Sequence, residues 1–311
     1  MSTYLVTGGA GFIGSSIVEK LVGSGEKCVV LDNLCEGKLE NLAAVEKKVT
    51  FIKGDIREEK DLDKALKGVD FVLHQAALRS VPKSMEKPLE YNDVNVSGTL
   101  TLLLKAKEQG VKRVVFASSS SVYGEKEKFP QKEEDSTNPI SPYASTKLMG
   151  EYYCKLFSNS FGLETVALRY FNVFGPKQSL DNQYAVVIPK FITCILKDEA
   201  PPIHGDGRQQ RDFTFIDNVI EANLKAATVP GVSGEAFNIA CGVSTSVLGI
   251  VDAVNKILGT NVKPEFISKR AGDVRKTLAD VTKLKTKLGI KNFVQFEEGL
   301  KRTIEYFKTK V

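Results

Sequence analysis

The residues best suited to proton transfer in this chain are Tyr143 and Lys147, which stand four positions apart. On a helix, side chains at this spacing share one face, so the lysine ammonium can approach the phenol. A nearby positive charge favours the phenolate, and lowering the tyrosine pKa from about 10 to about 7 requires roughly 4 kcal/mol. A tyrosine with such a pKa is a usable general base or acid for a hydroxyl proton. Many helices contain this pair by chance, so the surrounding residues decide its interpretation.

Four serines at positions 118–121 directly follow a predicted strand, Val114–Ala117. A buried core has no need of hydroxyl groups, so these serines are candidates for binding a ligand at the end of the strand. Their alternative role is to form a turn or to cap the next helix. Together with Tyr143, Lys147 and a glycine-rich loop near the N-terminus, they favour a catalytic site.

The glycine-rich loop follows the first predicted strand, Tyr4–Val6. Gly8 lets the chain turn sharply, Gly11 removes a side chain where backbone must approach a pyrophosphate, and Gly14 allows the next helix to pack closely. The pyrophosphate would lie at the helix N-terminus, where free N–H groups and the helix dipole favour negative charge. The loop therefore predicts a dinucleotide site.

An acidic residue supports this prediction. Asp32 ends the second predicted strand, 18 residues after Gly14. A carboxylate at this place accepts hydrogen bonds from the adenine ribose hydroxyls and repels a 2′-phosphate, which favours NAD over NADP. The alternative is a loop carboxylate that binds no ligand.

Strand-like and helix-like segments alternate from residue 1 to about residue 168. Strands bounded by glycines and alternating with amphipathic segments indicate an α/β fold, in which a doubly wound parallel sheet is covered by helices on both faces. Ligands of such sheets bind beyond the carboxyl ends of the strands, which is where the candidate residues fall. The predicted strands are Tyr4–Val6, Lys27–Leu31, Val49–Lys53, Phe71–His74, Val114–Ala117 and Glu164–Arg169.

The second half of the chain has a different pattern, with proline- and glycine-rich segments between shorter helices. We expect residues 1–174 to form the NAD-binding domain, with segments from about 214–245 returning to it, and residues 175–311 to form mainly a substrate domain. Arg211 and Arg270 each adjoin a predicted turn, where arginine suits bidentate binding of phosphate; surface ion pairs are the alternative.

Bulk composition narrows the class of protein. The 311 residues carry a formal net charge of +5 with scattered lysines, so nucleic acid is not expected as a partner. The five cysteines and two histidines predict neither a disulfide framework nor a metal site. No signal peptide or membrane-length apolar run is evident, so we expect a cytoplasmic protein with no membrane partner.

Together these motifs resemble the extended short-chain dehydrogenase/reductases, and within them the UDP-hexose 4-epimerases. The matching stretches include the glycine loop, Gly54-Asp55-Ile56, Ser-Ser-Ser-Val-Tyr-Gly, Ser-Pro-Tyr-Ala-Ser-Thr-Lys, Arg-Tyr-Phe-Asn-Val-Phe-Gly-Pro and Arg-Asp-Phe. The resemblance covers essentially the whole chain and implies a Rossmann-type sheet with a smaller C-terminal α/β substrate domain, NAD as cofactor and a UDP-sugar as substrate.

The resemblance also implies roles for individual residues. Tyr143 is the expected catalytic base, Lys147 tunes it and holds the nicotinamide ribose, and Ser119 bonds the substrate O-4 with Ser120 or Ser121 as support. Arg79 stands where a lysine is common, and Asp55 either accepts from the adenine amino group or caps the next helix. The expected cofactor contacts are Gly8, Gly11, Phe12, Ile13, Asp32, Asn33, Gly37, Asp55, Ile56, Gln75, Ala76, Ala77, Arg79, Asn95, Ser118, Tyr143, Lys147 and Tyr170.

Substrate contacts follow from the same resemblance. Asn172, Arg211 and Arg270 are expected at the diphosphate, and Asp273 at the uridine ribose. Further substrate contacts are expected at Val187, Ile188 and Pro189 near the uracil, and at Lys190.

The position seven residues after Arg270 flanks the sugar in this family. A bulky tyrosine there accompanies restriction to glucose and galactose, whereas this chain has Thr277. The run at 77–84 resembles the branch that accepts UDP-GlcNAc and UDP-GalNAc, with Ser84 near the acetamido group. We therefore predict activity on N-acetylated sugars, with UDP-Glc and UDP-Gal as a second pair.

Three alternatives stay open. A UDP-glucuronate 4-epimerase shares these motifs. Nucleotide-sugar dehydratases and decarboxylases usually carry an acid within the segment that is here Ser119–Ser121. A non-catalytic NAD-sensing module would be expected to lose Tyr143 or Lys147, and both are present.

The resemblance further implies a homodimer. The amphipathic stretches Leu89–Lys107 and Ser145–Phe161 would pair across a twofold axis, or else only cover the sheet.

Overall fold

A parallel sheet forms the centre of the computed structural model, which describes residues 1–179, 187–268 and 274–310. Within these residues the sheet has seven strands in the order β3-β2-β1-β4-β5-β6-β11. Their bounds are Thr3–Thr7 (β1), Lys27–Asp32 (β2), Thr50–Lys53 (β3), Phe71–His74 (β4), Arg113–Ser119 (β5), Glu164–Tyr170 (β6) and Glu235–Ile239 (β11). The predicted doubly wound α/β fold is confirmed.

Short strands pair outside this sheet. They are Val173–Phe174 (β7) with Thr214–Phe215 (β10), Pro202–His204 (β8) with Glu265–Ile267 (β13), and Gln210–Asp212 (β9) with Ser244–Ser246 (β12).

Helices cover both faces of the sheet. In chain order, α1–α11 span Phe12–Gly23, Glu59–Ala65, Val81–Glu86, Pro88–Asn92, Gly98–Glu108, Pro142–Leu156, Val187–Leu196, Ile216–Thr228, Val247–Leu258, Thr282–Lys287 and Phe296–Lys308. A π-helical turn, Asp93–Ser97, joins α4 to α5, and a second one, Phe157–Phe161, follows α6. Short 3-10 turns lie at Leu39–Leu42, Glu46–Lys48 and Ser120–Tyr123.

The order of strands reverses beside β1, which pairs with β2 on one side and with β4 on the other. A reversal of this kind opens a crevice at the carboxyl edge of the sheet. The last residues of β1, β4, β5 and β6 reach this edge, and they are Thr7, His74, Ser119 and Tyr170.

Two large apolar clusters flank the sheet. In the second half of the chain, α7, α9 and α11 pack on one another, while β11 joins the main sheet beside β6. The division into two domains at residue 174 stays a prediction. No helix in the described ranges is long and apolar enough to cross a membrane, and the cytoplasmic location also stays a prediction.

Candidate active site

A cavity of about 960 Å³ opens at the carboxyl edge of the sheet. Its walls come from the loop after β1, from the ends of β2, β4 and β5, and from α6. Arg211, Thr277 and Phe307 of the second half close the other side. The size is at the upper end of the usual range for ligand clefts, which suits a pair of large ligands.

The glycine loop forms a cradle at one end of this cavity. Gly8 has a φ of +66°, and a Cβ there would come within 2.8 Å of the Ala76 Cα, so only glycine fits without strain. Gly11 precedes α1, and a Cβ at Gly11 would meet one protein atom within 4 Å, the Gly8 carbonyl oxygen. The space above the N-terminus of α1 is therefore kept clear for a pyrophosphate.

Asp32 is fixed beside this loop. Its Oδ2 accepts the Ala10 N–H at 2.9 Å, and its Oδ1 accepts the Leu34 N–H at 2.8 Å. The side chain lines the cavity, and each carboxylate oxygen can accept a further hydrogen bond. This geometry fits the ribose hydroxyls of a dinucleotide.

The carboxylate of Asp55 lies further along the same wall, and its partner, Arg57, was not predicted from the sequence. Arg57 donates to Asp55 from Nε and Nη2, both at 2.9 Å, and from Nη1 to Asp93 at 2.6 Å. Arg57 holds the pKa of Asp55 down at about 2. Asp55 also accepts the Arg57 backbone N–H at 3.0 Å, ahead of a helix whose N-cap is Glu58. It therefore forms a turn before α2 and does not cap that helix.

Tyr143 and Lys147 share one face of α6, as their spacing predicts. The helix begins with Ser141 as N-cap, whose hydroxyl accepts the Ala144 N–H at 3.2 Å. The Lys147 Nζ donates to the Ala117 carbonyl oxygen at 2.8 Å and stands 6.0 Å from the Tyr143 ring centroid. Burial lowers the pKa of Lys147 to about 7.

The pKa of Tyr143 depends on burial and on two polar neighbours. Burial raises it, and a hydrogen bond with Ser119 and the charge of Arg79 lower it by less. The predicted depression is thus not produced by the protein alone.

The serine cluster is arranged around Ser119. Ser121 donates to the Ser119 Oγ from its hydroxyl at 2.9 Å and from its backbone N–H at 3.2 Å. With these two hydrogen bonds accepted, Ser119 keeps its own hydrogen for the phenol oxygen of Tyr143 or for a ligand. Ser121 is thereby the residue that supports Ser119.

Ser118 has a different partner, which was also missed. Its hydroxyl donates to Glu151, and Glu151 forms a buried ion pair with Arg169 at 2.7 Å. Arg169 in turn donates to the Tyr123 hydroxyl at 2.8 Å. Ser118 thus borders the cavity, but its hydroxyl is engaged in a buried network that holds the end of β5 against α6.

His74 is buried near Lys147 of α6 and stays neutral, because burial lowers its pKa to about 3. Its ring nitrogens lie 2.7 Å from the Thr7 hydroxyl and 3.0 Å from the Thr99 hydroxyl. Thr99 donates to the Asn95 carbonyl oxygen at 2.7 Å, which makes Thr99 the acceptor for the His74 Nε2–H. A neutral ring here adds no repulsion to Lys147.

The structure brings most of the predicted contacts to one cavity, although their roles stay predictions. The residues that line it are Gly8, Gly11, Phe12, Ile13, Asp32, Asn33, Gly37, Asp55, Ile56, Gln75, Ala76, Ala77, Arg79, Ser118, Ser119, Ser120, Ser121, Tyr143, Lys147, Tyr170, Asn172, Arg211 and Thr277.

Six predicted contacts lie away from the cavity lining, namely Ser84, Asn95, Val187, Ile188, Pro189 and Lys190. Ser84 is buried, and its hydroxyl donates to the Val81 carbonyl oxygen at 2.6 Å. The Asn95 amide donates to the Leu78 carbonyl oxygen at 2.9 Å and to the Thr146 hydroxyl at 3.1 Å. Arg270 and Asp273 lie outside the described residues.

Asn223 on α8 was not anticipated. It accepts from the Gln75 amide at 3.0 Å and donates to the Tyr170 hydroxyl at 2.8 Å. A residue from the second half of the chain therefore holds two cavity-lining residues, a contact that no local sequence pattern could have predicted.

Comparison with known proteins decides the family. The model of the NAD dependent epimerase/dehydratase family matches residues 4–240. The chain belongs to this family. The prediction that NAD is the cofactor is therefore confirmed. The glycine loop above the N-terminus of α1 and the carboxylate of Asp32 are suited to bind it.

Members of the epimerase/dehydratase family are similar over nearly the full length of the chain. A UDP-glucose 4-epimerase of Mycolicibacterium smegmatis is 37% identical over 315 residues, covering 98% of each chain. A solved UDP-N-acetylglucosamine 4-epimerase of Methanobrevibacter ruminantium, in complex with UDP-N-acetylmuramic acid, is 41% identical with a TM-score of 0.95, covering 100% of this chain and 99% of that one. A solved UDP-glucose 4-epimerase of Thermotoga maritima, with UDP-glucose, is 39% identical with a TM-score of 0.94, covering 99% of each chain.

Proposed function

We propose that this chain catalyses the 4-epimerisation of a UDP-hexose through a 4-keto intermediate, with UDP-GlcNAc and UDP-GalNAc as the favoured pair. UDP-Glc and UDP-Gal are the second pair. The observation that carries the proposal is the meeting of Tyr143, Ser119 and Lys147 beside a dinucleotide cradle in one cavity. The activities of the relatives named above support the same reaction class.

In this proposal the residues of the chain move one proton and hold the reacting groups. Tyr143 takes the proton of the sugar 4-hydroxyl and returns it to the same oxygen after the sugar has presented its other face. Ser119, held by Ser121, orients that oxygen. Bound NAD supplies the acceptor, and then the donor, of the hydride at C-4.

Lys147 and Arg79 supply the positive charge near the phenol. The Lys147 ammonium is held against the Ala117 carbonyl oxygen, and with a pKa of about 7 it exists in both protonation states at neutral pH. The Nε atom of Arg79 also lies 3.5 Å from the Oε2 atom of Glu36 at the cavity wall. These cations favour the phenolate that proton abstraction requires.

The choice of sugar rests on Thr277, which lines the cavity where a smaller residue leaves room for a 2-acetamido group. The solved relative that acts on UDP-N-acetylglucosamine supports this choice. A tyrosine placed at position 277 is expected to reduce activity on the N-acetylated pair more than on the plain pair.

We also propose that the active form is a homodimer. Met149, Tyr152 and Leu156 form an apolar stripe along α6 and are 45%, 57% and 46% exposed. Leu89 on the neighbouring α4 is 84% exposed. Apolar side chains at this helical spacing are typical of an interface, and an identical face on a second copy would cover them across a twofold axis.

The test of the reaction uses the purified full chain and UDP-GalNAc with no added NAD, followed by chromatography of the sugar released by mild acid. Formation of GlcNAc supports the proposal, because resident cofactor is regenerated in each turnover. Parallel reactions with UDP-Glc and with UDP-glucuronate rank the substrates. Loss of water or carbon dioxide, or cofactor binding with every sugar unchanged, would contradict it.

A further inference from the structure

Residues 33–42 follow β2 and form one wall of the cavity, and we call them the β2 loop. This loop packs directly on the glycine loop, since a Cβ at Gly37 would come within 2.9 Å of the Ala10 Cβ and of the Asp32 Oδ2. The Asn41 amide adds a hydrogen bond, donating from Nδ2 to the Ala10 carbonyl oxygen at 2.8 Å. A dinucleotide on the glycine loop therefore lies beside this wall, and its release depends on whether the wall stays in place.

Lys177 fastens the β2 loop from a distant part of the chain. Its Nζ donates to the Asn41 carbonyl oxygen at 2.9 Å, across 136 residues, and lies 2.6 Å from the Glu19 Oε1 on α1. Asn41 is thus held on two sides, since its amide donates to Ala10 and its carbonyl oxygen accepts from Lys177. The side chains of Lys177 and Glu19 are 20% and 33% exposed, so water screens this ion pair only in part.

The backbone at Lys177 does not favour a lysine. Its φ is +67°, in the left-handed region, where glycine and asparagine are less strained than other residues. A strained backbone persists only where contacts with the surrounding structure offset its cost. The ion pair with Glu19 and the hydrogen bond to Asn41 are contacts of this kind.

A lysine that lines this cavity has a second conceivable role, which is to bind the pyrophosphate directly. The two roles differ in the part that Glu19 plays. Glu19 competes with a phosphate for the ammonium, so a lysine that binds phosphate gains affinity for NAD when Glu19 loses its charge. A lysine that fastens the β2 loop instead loses its anchor. The structure favours the second role, because the Lys177 ammonium already lies between Glu19 and the Asn41 carbonyl oxygen.

We propose that Lys177 is a positioning residue for the cofactor. Anchored by Glu19, it holds Asn41, and with it the β2 loop, against the glycine loop, and it thereby slows the release of NAD. The effect is expected on the rate of dissociation, which is where most changes within one binding site act. The inference concerns the cofactor of the family and does not depend on which sugar the chain converts.

The test measures the exchange of NAD in the absence of any sugar. The full chain is loaded with radiolabelled NAD, chased with an excess of unlabelled NAD and passed through a desalting column at intervals. We expect Lys177→Met to release the label about tenfold faster than the parent, because the β2 loop loses a charge-assisted hydrogen bond and its link to α1. Glu19→Gln should also release the label faster, although it leaves the positive charge of Lys177 in the cavity. Lys177→Arg should restore slow release, since it keeps the charge and the donors.

Lys112→Met is the matched control. The Lys112 Nζ lies 2.8 Å from the Asp70 Oδ1 at the amino edge of the sheet, opposite the cavity, so this variant should release NAD at the rate of the parent. Slower release from Glu19→Gln than from the parent would overturn the inference, because that is the result for a lysine that binds phosphate directly. Unchanged release from Lys177→Met, or equally faster release from Lys112→Met, would overturn it too. A parent that exchanges NAD as expected but epimerises no UDP-sugar would contradict the proposed function alone.

Discussion

The Nζ atom of Lys147 lies 6.0 Å from the centroid of the Tyr143 ring and is hydrogen-bonded to the Ala117 carbonyl oxygen at 2.8 Å. The lysine therefore lies near the phenol, and its hydrogen bond goes to β5, the strand that ends with Ser118 and Ser119. Burial raises the pKa of Tyr143 and lowers the pKa of Lys147 to about 7, so the two effects oppose formation of the charged pair.

A titration of the phenol tests this balance. In protein freed of dinucleotide, we expect Tyr143 to ionise at a higher pH than an ordinary tyrosine, because its pKa is raised by burial. The difference in absorbance at about 295 nm between the parent and Tyr143→Phe isolates this group. Addition of NAD should move the transition toward neutral pH, since the nicotinamide ring is positively charged. A Tyr143 that already ionises near pH 7 without NAD would contradict the structure.

The pair of Arg57 and Asp55 gives a prediction about acid sensitivity. Arg57 keeps the pKa of Asp55 at about 2, so the carboxylate stays charged in the parent throughout mild acid. In Arg57→Gln this pKa should return toward about 4, and Asp55 will then gain a proton as the pH falls from 5 to 3. NAD affinity should therefore fall about fivefold at pH 7 through loss of the fixed geometry, and more steeply at pH 4.

Calorimetric titration with NAD at several pH values measures this effect. Arg302→Gln is a matched control, because Arg302 is half-exposed and pairs with Glu298 and Asp217 on the surface. If both variants bind NAD with the same pH dependence as the parent, Arg57 has no role at the adenine end of the site.

The sequence predicted the parts of the site that depend on local spacing. The turn at Gly8, the carboxylate at the end of β2 and the shared face of Tyr143 and Lys147 each follow from the geometry of one element and its neighbours. The predicted strand Val114–Ala117 extends in the structure to Ser119, which places that hydroxyl at the edge of the sheet.

The partners of these groups could not be predicted in the same way. Glu151 binds Ser118 across 33 residues, and Thr277 binds Asn172 across 105. The partner of each side chain depends on which helices and strands pack side by side. The residues near it in the sequence do not determine that packing. The raising effect of burial on the Tyr143 pKa could not be predicted for a related reason, since burial is a property of the assembled fold.

The exposed apolar stripe on α6, formed by Met149, Tyr152 and Leu156, leads us to expect a homodimer. Replacing Met149 and Leu156 with lysine should convert the dimer to a monomer, because two charges would face each other across a dry interface. Sedimentation velocity measures the mass directly. Lysine at Val243 and Phe266, which are 58% and 57% exposed elsewhere on the surface, provides the matched control. A parent protein that sediments as a monomer would contradict the proposal, as would a dimer that survives both lysines on α6.

The most direct test of the central claim is the rate of epimerisation by Tyr143→Phe, with Tyr152→Phe on the same helix as control. We expect Tyr143→Phe to lose about a thousandfold in kcat, with NAD still bound and the melting temperature within a few degrees of the parent. The control should retain the rate of the parent. A Tyr143→Phe enzyme that epimerises UDP-GalNAc as fast as the parent would contradict the account.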